Sequence, residues 1–232
     1  MDKKIEVKNF TKKYKDAIAL DNVSIDIILG KITGILGPNG SGKTTLLKAL
    51  AGFIRPDKGE IILGDDKINK VDKKNIAYLP DESFLFDYQN IKEVGDFYKD
   101  FFIDFDKESF DKLIAYFHLN EKSKVKNLSK GDYKKLALCL NLARNTDIYI
   151  FDEPMDGLDS ISIAKIMDLI IDKMNDKKTF IISTHQIATI ENLFDDVVFL
   201  NYGKIHDLGR AATIRDEHGM DLYDYYDQIY LG

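Results

Sequence analysis

The sequence predicts an α/β fold: a parallel sheet sandwiched by helices, with an N-terminal antiparallel β subdomain and an inserted α-helical subdomain. Three observations carry this reading. First, short apolar runs at Ile32–Leu36, Ile76–Leu79, Ile148–Phe151, Thr179–Ser183 and Val197–Leu200 alternate with helical patterns at Thr44–Ala51, Ser129–Asn145, Ile161–Met174 and Ile187–Phe194. Strand–helix units of a parallel sheet produce this rhythm. Second, Ile5–Val7 and Val23–Ile28 are β-prone segments around a polar stretch and Glu60–Leu63 continues that character, so they are assigned to a small antiparallel sheet. Third, residues 82–128 hold two helical patterns, Ile91–Phe102 and Lys107–Leu119, and no strand; Asn120–Asn127 is a polar connector. After Tyr202 come a glycine-bounded strand around Ile205 and a final helix. Tyr223, Tyr226 and Tyr230 are spaced three and four apart, which puts them on one face, packed against the body.

At 232 residues the chain can bury roughly 70–75% of its surface as a single domain spanning 1–232. The net charge of −6 argues against a partner held by phosphate contacts, so no nucleic acid is expected. Cys139 is the single cysteine and sits in the apolar run Leu136–Leu142. No internal disulfide can form, which fits a reducing, cytoplasmic setting, and core packing explains the thiol. Met1–Phe10 lacks the apolar centre of a secretory signal. No apolar run approaches the ~20 residues of a membrane span.

Chemistry enters at Gly37-Pro38-Asn39-Gly40-Ser41-Gly42-Lys43-Thr44, which fits the P-loop pattern and follows an apolar strand. Glycines let the backbone approach phosphate with no Cβ in the way. The loop N–H groups and the N-terminus of the helix running on through Thr45 supply a positive cradle. Lys43 would hold the β and γ phosphates, and the Thr44 hydroxyl would ligate Mg²⁺. This is a nucleoside triphosphate site, so the sheet is read as a P-loop NTPase core.

The strand Ile148–Phe151 ends in Asp152-Glu153-Pro154. Ligand chemistry in parallel sheets gathers at the carboxyl ends of strands. Asp152 would hold the Mg²⁺, and Glu153 would orient and deprotonate the attacking water. His185 follows the strand Thr179–Thr184, where it would contact the γ-phosphate.

Leu128-Ser129-Lys130-Gly131-Asp132 opens a helix about 20 residues before the acidic pair. It is also a capping pattern, Ser129 with an acid three residues on. The succession of P-loop, inserted helices, this motif, Asp152-Glu153, Gly157-Leu158-Asp159 and His185 resembles the ATP-binding cassette (ABC) family from about residue 5 to 205. The resemblance implies an ATPase using ATP and Mg²⁺. It also implies a head-to-tail dimer in which two cassettes sandwich two ATP molecules, the partner being a second copy of the chain or a similar cassette. Ser129 and Gly131 would then reach the γ-phosphate held by the partner, Asp159 would cross the interface, and Tyr14 would stack on adenine from a polar loop.

Four positions depart from the family pattern: Asp81 where Gln is usual, Lys130 for Gly, Asp132 for Gln, and Asp156 for Ser or Thr. Lys130 and Asp81 resemble the branch serving multidrug or bacteriocin-type exporters, which implies export. Asp81, after the strand Ile76–Leu79, is expected near Asp152 as a further metal ligand, with three acids around one ion. An integral membrane permease is the implied partner, holding the chain peripherally on the inner face of the cell membrane. The alternative is a soluble ABC ATPase acting on ribosomes or DNA. A single cassette with no coiled-coil insertion speaks against it. The aromatics Phe84, Phe86, Tyr88, Phe97, Tyr98, Phe101, Phe102 and Phe105 exceed the needs of a small helical pair. A groove for a permease helix is therefore expected there, with Phe84 and Phe86 in it.

Overall fold

The computed structural model describes residues 3–15, 17–64, 66–67 and 73–230. One sheet is four-stranded and antiparallel, made of β1 (Lys4–Tyr14), β2 (Ala17–Ile28), β4 (Lys58–Leu63) and β5 (Asp66–Lys67) in the order β2-β1-β4-β5. The other is six-stranded. It combines β3 (Ile32–Leu36), β6 (Ile76–Leu79), β7 (Ile148–Asp152), β8 (Thr179–Thr184), β9 (Asp196–Asn201) and β10 (Lys204–Arg210) in the order β10-β9-β3-β8-β7-β6. Only its edge strand β10 runs antiparallel.

Both faces of its parallel strands are covered, which is why these read as mainly apolar runs. Side chains alternate between two cores. Tyr149, Phe151, Phe180, Ile182, Val197 and Phe199 face the helices. Ile148, Ile150, Ile181, Val198 and Leu200 face the antiparallel sheet and α1 (Lys43–Leu50). Cys139 lies fully buried in the first core, and burial drives its thiol pKa upward. Native protein is therefore expected to resist alkylation by iodoacetamide at pH 8 and to label fully once unfolded.

Between β6 and β7 come α2 (Ile91–Phe101), α3 (Lys107–Tyr116) and α4 (Lys130–Leu142). Their starts are set by side-chain caps. Asn90 and Glu93 form a capping box on α2, Asp106 caps α3 and Ser129 caps α4. Gly95 of α2 exists for packing: a Cβ there would lie 2.4 Å from Phe110 of α3. Gly95→Ala is expected to cost about 1–3 kcal/mol of stability, read as a lower urea midpoint. Buried Arg144 ties this helical stretch to the edge strand. Its guanidinium donates to the Ile76 and Lys74 carbonyls at 2.9 and 2.7 Å, pairs with Asp104, and lies 4.1 Å from the centre of the Phe102 ring.

Several expectations need correction. Tyr14 ends a long strand instead of sitting in a loop. Beyond α5 (Ser160–Lys173), the helix expected over 187–194 is a short α6 (Ile187–Ile190) followed by a 3₁₀ turn. The tail holds two helices, α7 (Ala211–His218) and α8 (Leu222–Tyr230). On α8 the buried face carries Tyr225 and Tyr226, with Tyr230 donating to the Leu200 carbonyl at 2.8 Å, while Tyr223 is exposed.

Candidate nucleotide site

The loop 37–42 joins β3 to α1 beside the carboxyl ends of β7 and β8. A cleft of about 310 Å³ lies against it, lined by Ala19, Asn39, Gly40, Gly42, Lys43, Thr44, Thr45, Asp81 and Glu153. Gly42 carries φ +108°, and a Cβ there would sit 2.6 Å from the Ala19 carbonyl oxygen. No other residue fits without moving the loop.

The Lys43 ammonium is buried and donates to the carbonyls of Gly37 and Pro38 at 2.7 and 3.2 Å. It also lies 3.1 Å from Glu153 Oε1, an ion pair by distance without hydrogen-bond alignment, since that oxygen accepts no hydrogen bond. The other Glu153 oxygen meets His185: ring Nδ1 at 2.9 Å and a backbone N–H donating at 3.2 Å. Glu153 itself holds φ +47°, a conformation that costs of order 1–3 kcal/mol and persists only where surroundings enforce it. Its N–H donates to Ser183 Oγ at 3.0 Å, which helps to enforce it.

Asp152 is wholly buried and accepts from Ser183 Oγ at 2.6 Å, while its Oδ2 has no partner. Burial holds its carboxyl above the usual value, against the Ser183 hydrogen bond and the neighbouring Thr44 hydroxyl, which lower it. The charges of Glu153 and Asp81 add to the rise. An unpartnered, buried carboxylate oxygen next to a threonine hydroxyl suits a hard divalent cation. Among the described residues no three acidic, His or Cys side chains are grouped to hold one alone. Mg²⁺ ordinarily takes one or two carboxylates and completes its shell with phosphate and water, so this donor set fits it in company with a nucleotide.

The remaining candidates are dispersed. Asp81 reaches the cleft rim, but its Oδ1 pairs with Lys134 Nζ at 3.1 Å. Tyr14 is half exposed at the end of β1, with Lys12 over its ring, and does not line the cleft. Ser129 and Gly131 lie apart from the cleft lining, in the first turn of α4. Ser129 Oγ caps Asp132 N at 3.1 Å and donates to Asp132 Oδ2 at 2.9 Å. Lys130 pairs with Asp156 at 2.7 Å and holds that carboxyl below its usual range. Asp156 also accepts from Gln186, and Asp159 caps α5.

Two residues escaped the sequence reading. Ser183 looks like core strand, and only the β7–β8 register, Asp152 opposite Ser183, brings it to the acids. Lys134 looks like one more polar helix position.

The model of the ABC transporter family matches residues 20–156. The chain belongs to the ABC transporter family. This cassette is 37% identical to an uncharacterized ABC transporter ATP-binding protein of Methanocaldococcus jannaschii over 92% of its own length and 82% of the relative's. It is 32% identical to the manganese transport system ATP-binding protein MntB of Listeria innocua, covering 85% and 86% of the two chains. It is 28% identical to the lipopolysaccharide export system ATP-binding protein LptB of Haemophilus influenzae, covering 98% and 97%. Among solved structures, an ATP-binding subunit of an ABC transporter superposes with a TM-score of 0.86 at 24% identity over 97% and 98% of the chains, a likeness of fold. A dimeric ATP-binding cassette bound to ADP and Pi gives 0.79 at 25% identity over 89% and 98%. The cassette is an ATP-binding, ATP-hydrolysing subunit of a transporter. No helix among its described residues is long and apolar enough to cross a membrane.

Proposed function

We propose that this cassette, one ABC ATPase domain over residues 1–232, powers outward transport through a separate membrane permease, working as an ATP-sandwich dimer on the inner face of the membrane. The observation that carries the hydrolytic half is Glu153, fixed between Lys43 and His185 at the mouth of the P-loop. Thr44 and Asp152 would hold Mg²⁺, with Asp81 at its rim; the ion supplies positive charge to the phosphates. ATP entry requires Lys43 to leave the Gly37 and Pro38 carbonyls for the β and γ phosphates. Glu153 then keeps only its His185 contact and accepts the proton of the attacking water, while the ring of His185 holds it in line. Ser129 and Gly131, outside the lining of their own cleft, would serve the cleft of a second cassette, and Tyr14 would stack on adenine.

The manganese and lipopolysaccharide systems named above show that similar cassettes serve different cargoes. Lys130 and Asp81 support the export branch here. In inside-out vesicles carrying the cassette and its permease, external ATP is expected to drive cargo into the lumen; ATP-driven loss of preloaded cargo would overturn the export direction.

Membrane contact is assigned to the helical stretch 82–128. Phe84 drops out of the expected groove, because it packs on the core with its ring 6.4 Å from Tyr133. Phe105 is buried, and Tyr98 and Phe102 pack on the same core. Phe86 and Tyr88 stack on each other while remaining exposed, as do Phe97 and Phe101. Exposed aromatic pairs of this kind mark interaction surfaces. Replacing Phe86 and Phe101 with Ser is expected to release the cassette from permease-containing membranes while its soluble ATPase activity persists. Retained membrane binding would remove this surface from the proposal.

A further inference from the structure

Lys134 has no part in the reading above, yet it is the most constrained lysine of α4. Its side chain is 6% exposed, and its ammonium lies 3.1 Å from Asp81 Oδ1. A buried ammonium is rarely left unpaired, and Asp81 is the acid that meets it. Asp81 in turn is half exposed and lines the phosphate cleft with Lys43, Thr44 and Glu153. The two partners are 53 residues apart and belong to different parts of the fold, the end of β6 and the second turn of α4. Asp81 would by itself add a third negative charge beside Asp152 and Glu153, at the mouth of a cleft that must admit a polyanion. Lys134 supplies the compensating charge from outside the cleft lining.

We propose that Lys134 is a positioning residue for the phosphate cleft: it holds and neutralises Asp81, and so ties the helix that begins at Ser129 to the nucleotide site of its own subunit. The inference rests on the reading of the cleft as a Mg²⁺–ATP site. With Asp81 paired, the triphosphate meets a lysine-balanced rim, and any shift of α4 changes the charge the cleft presents. The position of Ser129 and Gly131 and the electrostatics of the cleft are then parts of one arrangement.

The test is a double-mutant cycle read by ATP binding in calorimetry, once in EDTA and once in excess Mg²⁺, on full-length protein. The reported quantity is the ratio of the Kd in EDTA to the Kd in Mg²⁺. Lys134→Met leaves Asp81 uncompensated, so it should weaken binding chiefly in EDTA and raise the ratio about three- to tenfold, the scale of one unit charge near a surface. Asp81→Asn leaves the ammonium uncompensated, so it should lower the ratio by a similar factor. The double variant Asp81→Asn/Lys134→Met should return to the wild-type ratio. A merely space-filling lysine would weaken both affinities together and show no cancellation. A folded Lys134→Met protein with the wild-type ratio, or a double variant that keeps the Lys134→Met shift, overturns the proposal. If Lys134→Met does not fold, Asp81→Asn alone decides: a ratio equal to or above wild type overturns it. Wild-type protein that binds no ATP would instead overturn the reading of the cleft itself.

Discussion

Glu153→Gln is expected to cut ATP turnover by about 10²–10⁴-fold, the usual worth of a positioned general base, while ATP still binds. The substitution keeps the shape of the side chain and its place opposite His185. What it removes is the oxygen charge that can accept a proton. The phosphates depend on Lys43 and the loop 37–42, which the change leaves alone. It also removes the negative partner that Lys43 has at 3.1 Å in the resting cleft, so the lysine is freer to turn to the nucleotide. The protein should therefore accumulate as an ATP-bound dimer on gel filtration, with phosphate release close to background. Normal phosphate release would exclude Glu153 as the base and leave its place between Lys43 and His185 without a catalytic meaning.

How much of this site was legible in the sequence depends on the range of the interaction. The P-loop and the acids at the end of β7 are local: each is a few consecutive residues whose spacing follows from phosphate geometry or from strand ends. The caps of α2 and α4 are local too, an acceptor with an acid three residues later. The parallel strands were legible because both faces are buried, so most of their positions are apolar. The long antiparallel strands were not. β1 runs through Lys12, Lys13 and Tyr14, because its polar positions pair edge-on with β2 and need no burial, and a reading by hydrophobicity therefore stops at Val7. On α8 a spacing of three and four allows two adjacent faces, and contacts from elsewhere choose between them. The Tyr225 hydroxyl donates to Asp207 at 2.7 Å and its ring packs on Phe199, which turns Tyr223 outward.

The family departures show the same limit. Taken singly, Asp81, Lys130, Asp132 and Asp156 are unexplained charges near an active site. In the fold they are matched: Asp81 with Lys134, Lys130 with Asp156, and Asp132 with Lys135 and the Ser129 hydroxyl. Lys130 and Asp156 are 26 residues apart and share no periodicity. Only the approach of the first turn of α4 to the loop after β7 reveals them as a pair.

Lys43→Ala and Ser129→Arg are each expected to abolish ATP-dependent dimerisation, and mixing the two variants is expected to restore it. The argument follows from where the groups lie. Lys43 sits in the cleft, so its loss should weaken ATP binding within one subunit by about 10–100-fold, the worth of a charge-assisted contact to phosphate. Ser129 caps α4 away from the lining of that cleft, so Ser129→Arg should leave nucleotide binding by the monomer close to wild type. Its bulk and charge would instead obstruct the surface offered to a second cassette. In a head-to-tail sandwich each composite site takes its P-loop from one subunit and its Ser129–Gly131 turn from the other. The mixed dimer therefore concentrates both defects in one site and leaves the other intact. Carrying both changes in a Glu153→Gln background keeps the intact site from emptying by hydrolysis, so the mixed dimer should be retained on gel filtration with one ATP per pair. Either variant alone should elute as monomer. Two variants that stay monomeric when mixed would mean that the turn at Ser129 serves no second P-loop, and its role would reduce to the helix cap that the single chain already displays.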